Sequence, residues 1–130
     1  MYTLAVKRDF IARHALIGGN WGPENLPNSH HYVLELHLSG NSLDQYGYLA
    51  DIIQIERLLE ETIARYRERM LNDLPEFEGL NPSLEHFARI LAHTFNERID
   101  AQNLLTLKVV LWEHESAWAS YEIARPSDAS

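Results

Sequence analysis

The 130-residue chain contains no cysteine, which removes disulfides, a thiolate metal site and a thiol nucleophile from consideration. Cations are scarce: 11 Lys and Arg stand against 19 Asp and Glu, a formal net charge of -8. That balance repels polyphosphate backbones and anionic bilayers, so neither nucleic acid nor a membrane is an expected partner. A small anionic substrate remains admissible, because a few local Arg, Lys or metal charges suffice to hold one. No stretch approaches the roughly 18 apolar residues of a membrane span, and the N-terminus has no charged segment leading into an apolar run. The expectation is a soluble, cytoplasmic chain.

What is present is a change of period along the chain. Alternation of apolar and polar residues marks strands at about Thr3 to His14 and His31 to Leu38. Between them, Gly18-Gly-Asn-Trp-Gly-Pro-Glu-Asn-Leu-Pro27 is a loop dense in breakers and too long for a hairpin turn. Trp21 within it offers either a flat surface for a ligand or a pin that holds the loop to the sheet. From Asp51 the spacing becomes helical, with Ile52, Ile55, Leu59, Ile63, Tyr66 and Met70 forming one stripe. Glu56, Arg57, Glu60, Glu61, Arg65 and Arg67 read as its solvated side. Asn81-Pro82 reads as a cap and first-turn proline opening a second helix, whose Leu84, Phe87, Ala88, Leu91 and Phe95 are the buried stripe. His86 and His93 share a face of that helix and, with no third ligand nearby, read as surface histidines.

Leu104 to Trp112 is a central strand, and Ala117 to Ile123 a final one, with a Glu113-His-Glu-Ser turn between them. The order β-β-α-α-β-β predicts an α+β fold in which two helices cover one face of a four-stranded antiparallel sheet. The length suits one domain with one core, residues 1–124, followed by a polar tail over residues 125–130.

Histidines fall on the apolar parity of both early strands. Leu4, Val6, Phe10, Ala12 and His14 share one side, and His30 shares its side with Tyr32, Leu34, Leu36 and Leu38. Two inward imidazoles at strand ends can converge on a metal, with zinc the usual choice for nitrogen-rich sites, or can be core histidines satisfied by backbone carbonyls. Glu113 lies on the side of Leu105, Leu107, Val109 and Leu111, against the core, where a carboxylate needs a partner.

Taken in order, Phe10-x-Ala-x-His14, Glu24-Asn-Leu26, His30-His-Tyr32, Tyr46-Gly-Tyr-Leu-Ala-Asp51, Leu71-Asn-Asp-Leu74, Asn81-Pro-Ser-x-Glu85 and Glu113 resemble the 6-pyruvoyl tetrahydropterin synthase / QueD (6-carboxy-tetrahydropterin synthase) family. The resemblance runs over nearly the whole chain. It implies the tunnelling fold, in which the sheets of several subunits join into a barrel. A homo-oligomer, trimer or hexamer, with sites at subunit interfaces follows from it, as does a small pterin-like ligand. The implied activity is a metal-assisted lyase or aldolase acting on dihydroneopterin or its triphosphate. The alternative is a paralogue that binds a pterin or purine without turning it over.

The implied site is carried over residue by residue. The family holds zinc on three histidines; His14 and His30 match two of them, and the third falls on Asn28, whose amide is a poor zinc ligand. Either a bulge re-aims the adjacent His31, or the zinc is weak, replaced or lost. Glu24 matches the position of the family's nucleophile or base, and its carboxylate is either the catalytic base of a retro-aldol cleavage or one solvated loop acid among many. Glu113 matches the glutamate that receives the pterin's ring N–H and exocyclic amine, a bidentate pairing. The family's Asp-His relay falls on Arg67 and Glu68, which cannot carry protons as histidine does. Arg67 reads as a partner of substrate phosphate or, more simply, of a surface glutamate.

Overall fold

The computed structural model describes residues 1–126. Six main elements follow one another: β1 (Tyr2–His14), β2 (Asn28–Gly40), α1 (Ile52–Tyr66), α2 (Leu84–Arg98), β3 (Thr106–His114) and β4 (Ala117–Ala124). The strands pair antiparallel in the order β1-β2-β3-β4. Both helices lie on one face, α1 over β1 and α2 over β3 and β4. No described helix is long and apolar enough to cross a membrane.

Alternation explains the burial. Phe10, Ala12 and His14 of β1, Tyr32, Leu34, Leu36 and Leu38 of β2, and Leu107, Val109 and Leu111 of β3 are all buried toward the helices. Ile55, Leu59, Ile63 and Tyr66 of α1 and Phe87, Ala88, Leu91 and Phe95 of α2 close over them. Phe87 sits edge-on to Phe10, Tyr32, Tyr66 and Phe77, with ring centroids 5.1–6.0 Å away, a favoured aromatic geometry. Gly40 ends β2 where a Cβ would stand 2.2 Å from the Asn103 carbonyl oxygen, so only glycine lets the two backbones meet.

The first strand pair is longer than alternation alone indicates. Its ladder runs unbroken from Tyr2 opposite Gly40 to His14 opposite Asn28, so no bulge re-aims His31. That imidazole lies on the open face, exposed, with Nε2 2.6 Å from Asp9 Oδ2. The helical stripe that was expected to reach Met70 stops at Tyr66, because the edge of β1 takes over the backbone that follows. Glu68 turns with φ 61° and donates its N–H to the Ile11 carbonyl, and the Arg13 N–H donates to the Arg69 carbonyl. The second helix is capped by Ser83, not Asn81: the Ser83 hydroxyl accepts the His86 N–H. Asn81 is occupied elsewhere, its Oδ1 accepting from the Ile17 N–H and its carbonyl from His86 Nδ1.

Glu56 and Glu60 lie on the solvated side of α1 as expected, where Arg8 reaches from β1 to both, at 2.5 and 3.0 Å. The turn between the last strands is shorter than Glu113-His-Glu-Ser. Glu113 and His114 remain in β3, and the ladder slips by a bulge between Trp112 and His114. At the other end of β4, Arg125 is tied down, its guanidinium donating to Asn96 and to the Ile99 carbonyl. The remainder of the predicted tail, 127–130, lies outside the described residues.

Candidate active site

Four side chains meet where β1 and β3 end and β2 begins. His14 closes β1, buried and inward; His30 enters β2 opposite Ala12 with the same parity, so the two rings lie side by side with centroids 4.5 Å apart. Glu24 comes from a one-turn 3-10 helix, Gly22–Asn25, in the long loop. That loop is held from within. The Leu16 N–H donates to the Glu24 carbonyl, and Asn25 donates its amide to the Leu16 and Gly19 carbonyls while accepting from the Trp21 N–H. Trp21 packs its ring on Gly19, where a Cβ would stand 2.7 Å from it, so within the loop this indole is a pin, with part of its surface still exposed.

Glu24 Oε2 lies 2.9 Å from His14 Nε2 and 3.4 Å from His30 Nε2. Glu113 Oε1, from the bulge in β3, lies 3.4 Å from His30 Nε2 and 3.9 Å from His14 Nε2. One donor atom from each of the four falls within 4.8 Å of every other, a group able to hold a metal ion. His30 Nε2 is buried and makes no well-aligned hydrogen bond, although both carboxylates stand 3.4 Å from it. Such an atom costs about 1–3 kcal/mol unless something satisfies it. The other ring nitrogen of His14, Nδ1, is 3.2 Å from the buried Tyr32 hydroxyl, an outer contact of the kind that orients a ligating imidazole. Parity placed Tyr32 beside the histidines, but nothing in sequence indicated that its hydroxyl would reach His14.

The hydrogen bond from His14 holds the Glu24 carboxyl below its usual range, and the charge of His30 adds to this against the opposing effect of burial. Burial pushes the Tyr32 phenol up, so it stays protonated. Asn28 donates its amide nitrogen to the His14 and Leu26 carbonyls and so ties the strand end to the loop. His86 and His93 lie apart from the group, the one bonded to the Asn81 carbonyl and the other exposed beside the Tyr121 ring. Arg67 stands 3.9 Å from Glu60.

No curated protein matches the chain by sequence. Solved structures match its fold closely. The Caenorhabditis elegans 6-pyruvoyl tetrahydropterin synthase superposes with a TM-score of 0.82 over 95% of this chain and 96% of that one, at 18% identity. The Plasmodium vivax synthase gives 0.78 over 95% and 98% at 15% identity, and has also been solved as two variants of a catalytic glutamate, to alanine and to cysteine. The Plasmodium falciparum synthase gives 0.77 over 95% and 98% at 11% identity. At these identities the likeness is one of fold: the tunnelling fold, a four-stranded antiparallel sheet with two helices. A sequence profile described as 6-pyruvoyl tetrahydropterin synthase matches residues 3–124, and the chain therefore belongs to the 6-pyruvoyl tetrahydropterin synthase family.

Proposed function

We propose that the chain is a metal-assisted lyase acting on a reduced pterin of the dihydroneopterin type. The observation that carries this reading is the meeting of His14, Glu24, His30 and Glu113 within 4.8 Å, with one imidazole nitrogen buried and unpaired. Two imidazoles and neighbouring carboxylates fit a zinc ion, and the unpaired His30 Nε2 is what an ion would satisfy. His14 and His30 would hold it. Once bound, zinc supplies Lewis-acid polarisation of the substrate's side-chain oxygens. Asn28, where a third histidine is absent, is tied to the His14 and Leu26 carbonyls and lies outside the four-residue group, so a third ligand would be a carboxylate and the expected affinity is low.

Glu24 is the proposed base, accepting the proton of a side-chain hydroxyl as the adjoining carbon–carbon bond breaks. The His14 hydrogen bond that lowers its pKa keeps it ionised but weakens it as a proton acceptor, so the base role needs substrate to take that bond's place. The Plasmodium vivax synthase, on the same fold, also has a catalytic glutamate. Glu113 is the proposed anchor, its carboxylate pairing with the ring N–H and exocyclic amine of the pterin. Sites of this kind at subunit interfaces of a trimer or hexamer complete the reading.

A second reading, a pterin-binding paralogue without turnover, is favoured by one observation. The family's relay positions hold Arg67, 3.9 Å from Glu60, and Glu68, whose backbone N–H is bonded to the Ile11 carbonyl, and neither side chain carries protons as histidine does. One experiment separates the two: metal analysis of the purified protein combined with product analysis after incubation with dihydroneopterin and its triphosphate. Cleavage that depends on zinc and disappears in Glu24→Gln supports the lyase. Pterin binding that disappears in Glu113→Gln, without cleavage, supports the paralogue. Absence of both activities and of metal overturns the whole reading.

A further inference from the structure

On a regular strand Trp112, Glu113 and His114 would point to alternating faces. The bulge between Trp112 and His114 changes this, and all three border one hollow of about 730 Å3 that opens on the uncovered face of the sheet. His30 and Ser29 line it too, so the hollow runs over the strand ends and shares His30 and Glu113 with the cluster, while His14 and Glu24 lie outside it. Bulges next to active sites commonly re-aim a side chain in this way.

Trp112 is the flat wall of the hollow, and it is fixed in place. Its Nε1–H donates to Glu35 Oε2 at 2.5 Å, and Glu35 Oε1 lies 2.9 Å from His37 Nε2. Trp118, its partner across β3 and β4, stands with its ring centroid 6.1 Å away. A half-buried indole whose N–H is already bonded has only its ring surface left to offer. Beside it, Glu113 and Glu115 border the hollow with acceptors. A ring surface flanked by carboxylates complements a flat nitrogen heterocycle with an N–H-rich edge.

We propose that Trp112 is a substrate-binding residue that stacks on the pterin ring while Glu113, its neighbour across the bulge, takes the ring's N–H edge. The proposal rests on the pterin reading above and adds a residue and a surface to it. Glu35 acts through Trp112, as a positioning residue that holds the indole plane.

The test is calorimetric titration of dihydroneopterin into the full-length protein and into Trp112→Phe, Trp112→Leu and Trp118→Leu, each verified as folded by circular dichroism. Trp112→Leu is expected to weaken binding about tenfold or more, the usual scale for losing an aromatic stacking partner. Trp112→Phe should stay within about threefold of the parent and Trp118→Leu within about twofold. Equal affinity in Trp112→Leu and the parent overturns this proposal while leaving the pterin reading standing. Equal losses in Trp112→Leu and Trp118→Leu overturn it as well, since they trace the effect to packing between β3 and β4. So does a change of oligomeric state by light scattering with affinity unchanged, which assigns the surface to a second copy of the chain. If the parent binds no dihydroneopterin, the pterin reading itself fails, and this proposal with it.

Discussion

The helix-covered face of the sheet has two ends built on opposite terms. Toward one end Leu36, Leu38, Leu107 and Val109 meet Leu59, Leu91 and Phe95, all buried and without a polar side-chain atom to satisfy. Toward the other, the same inward parity delivers His14, His30 and Glu113, joined by Glu24 from the loop. Tyr32 sits at the changeover: its ring packs on Phe10 and Phe87 while its hydroxyl reaches His14. Those seven apolar side chains leave no donor or acceptor open. At the polar end His30 Nε2, 3.4 Å from Glu24 and from Glu113, makes no well-aligned hydrogen bond, and Thr62 Oγ1 in α1 is the other buried side-chain atom without one among the described residues. One end therefore serves stability, and the other keeps an unmet demand that a ligand or ion can meet.

The largest expected effect lies at the apolar end. Leu36→Ala removes a fully buried side chain and should lower unfolding free energy by about 2–5 kcal/mol in denaturant titration. Added zinc should leave that difference unchanged, because nothing in that layer offers a ligand. A loss that shrinks as zinc is added would break the separation between the two ends.

The polar end should respond to zinc in the opposite sense. At a free concentration of 100 times Kd, an ion that binds only the folded chain adds about 2.7 kcal/mol. Thermal unfolding followed with and without zinc should show that gain in the parent protein and none in His30→Leu. Without metal, His30→Leu should stay within about 1 kcal/mol of the parent, since removing a nitrogen without a hydrogen bond is offset by losing the imidazole that faces Glu24 and Glu113 at 3.4 Å. A clear loss of stability in the metal-free variant would instead mark His30 as a structural residue, and the comparison would fail at its central member.

How much of this was legible in the sequence divides along the same line. Period and parity indicated the six elements, the apolar layer, and the inward direction of His14 and His30, because those features depend on local alternation and burial. What escaped depends on partners distant in sequence. The edge of β1 captures the backbone after Tyr66 and ends α1 early, and Ile17 claims the Asn81 side chain and leaves the cap to Ser83. Glu24 was read from the family pattern as a base, but its bond to His14 depends on a loop fold fixed by Asn25 and by Trp21 on Gly19. Parity placed Glu113 on the inner side, where it faces His30, but the bulge beside it, with Trp112 and His114 on one hollow, is invisible to parity.

The comparison is sharpened by a carboxylate that lacks nothing. Glu76 accepts two hydrogen bonds from Arg65 and one from the Tyr66 hydroxyl. Those partners, Arg65 first, hold its pKa at about 2 against an ordinary value of 4.5. A pKa lower in the folded chain than in the unfolded one stabilises the fold above the ordinary value, and that contribution fades as pH falls from 4.5 toward 2. Glu76→Gln cannot titrate. The stability difference between parent and variant, measured by denaturant titration at successive pH values, should therefore be constant above about pH 5 and narrow through that acid window. A difference that stays flat down to pH 2 would mean that Arg65 and Tyr66 do not favour the ionised form. Glu76 could then no longer serve as the satisfied counterpart to Glu24 and Glu113, whose facing imidazoles leave one nitrogen unpaired.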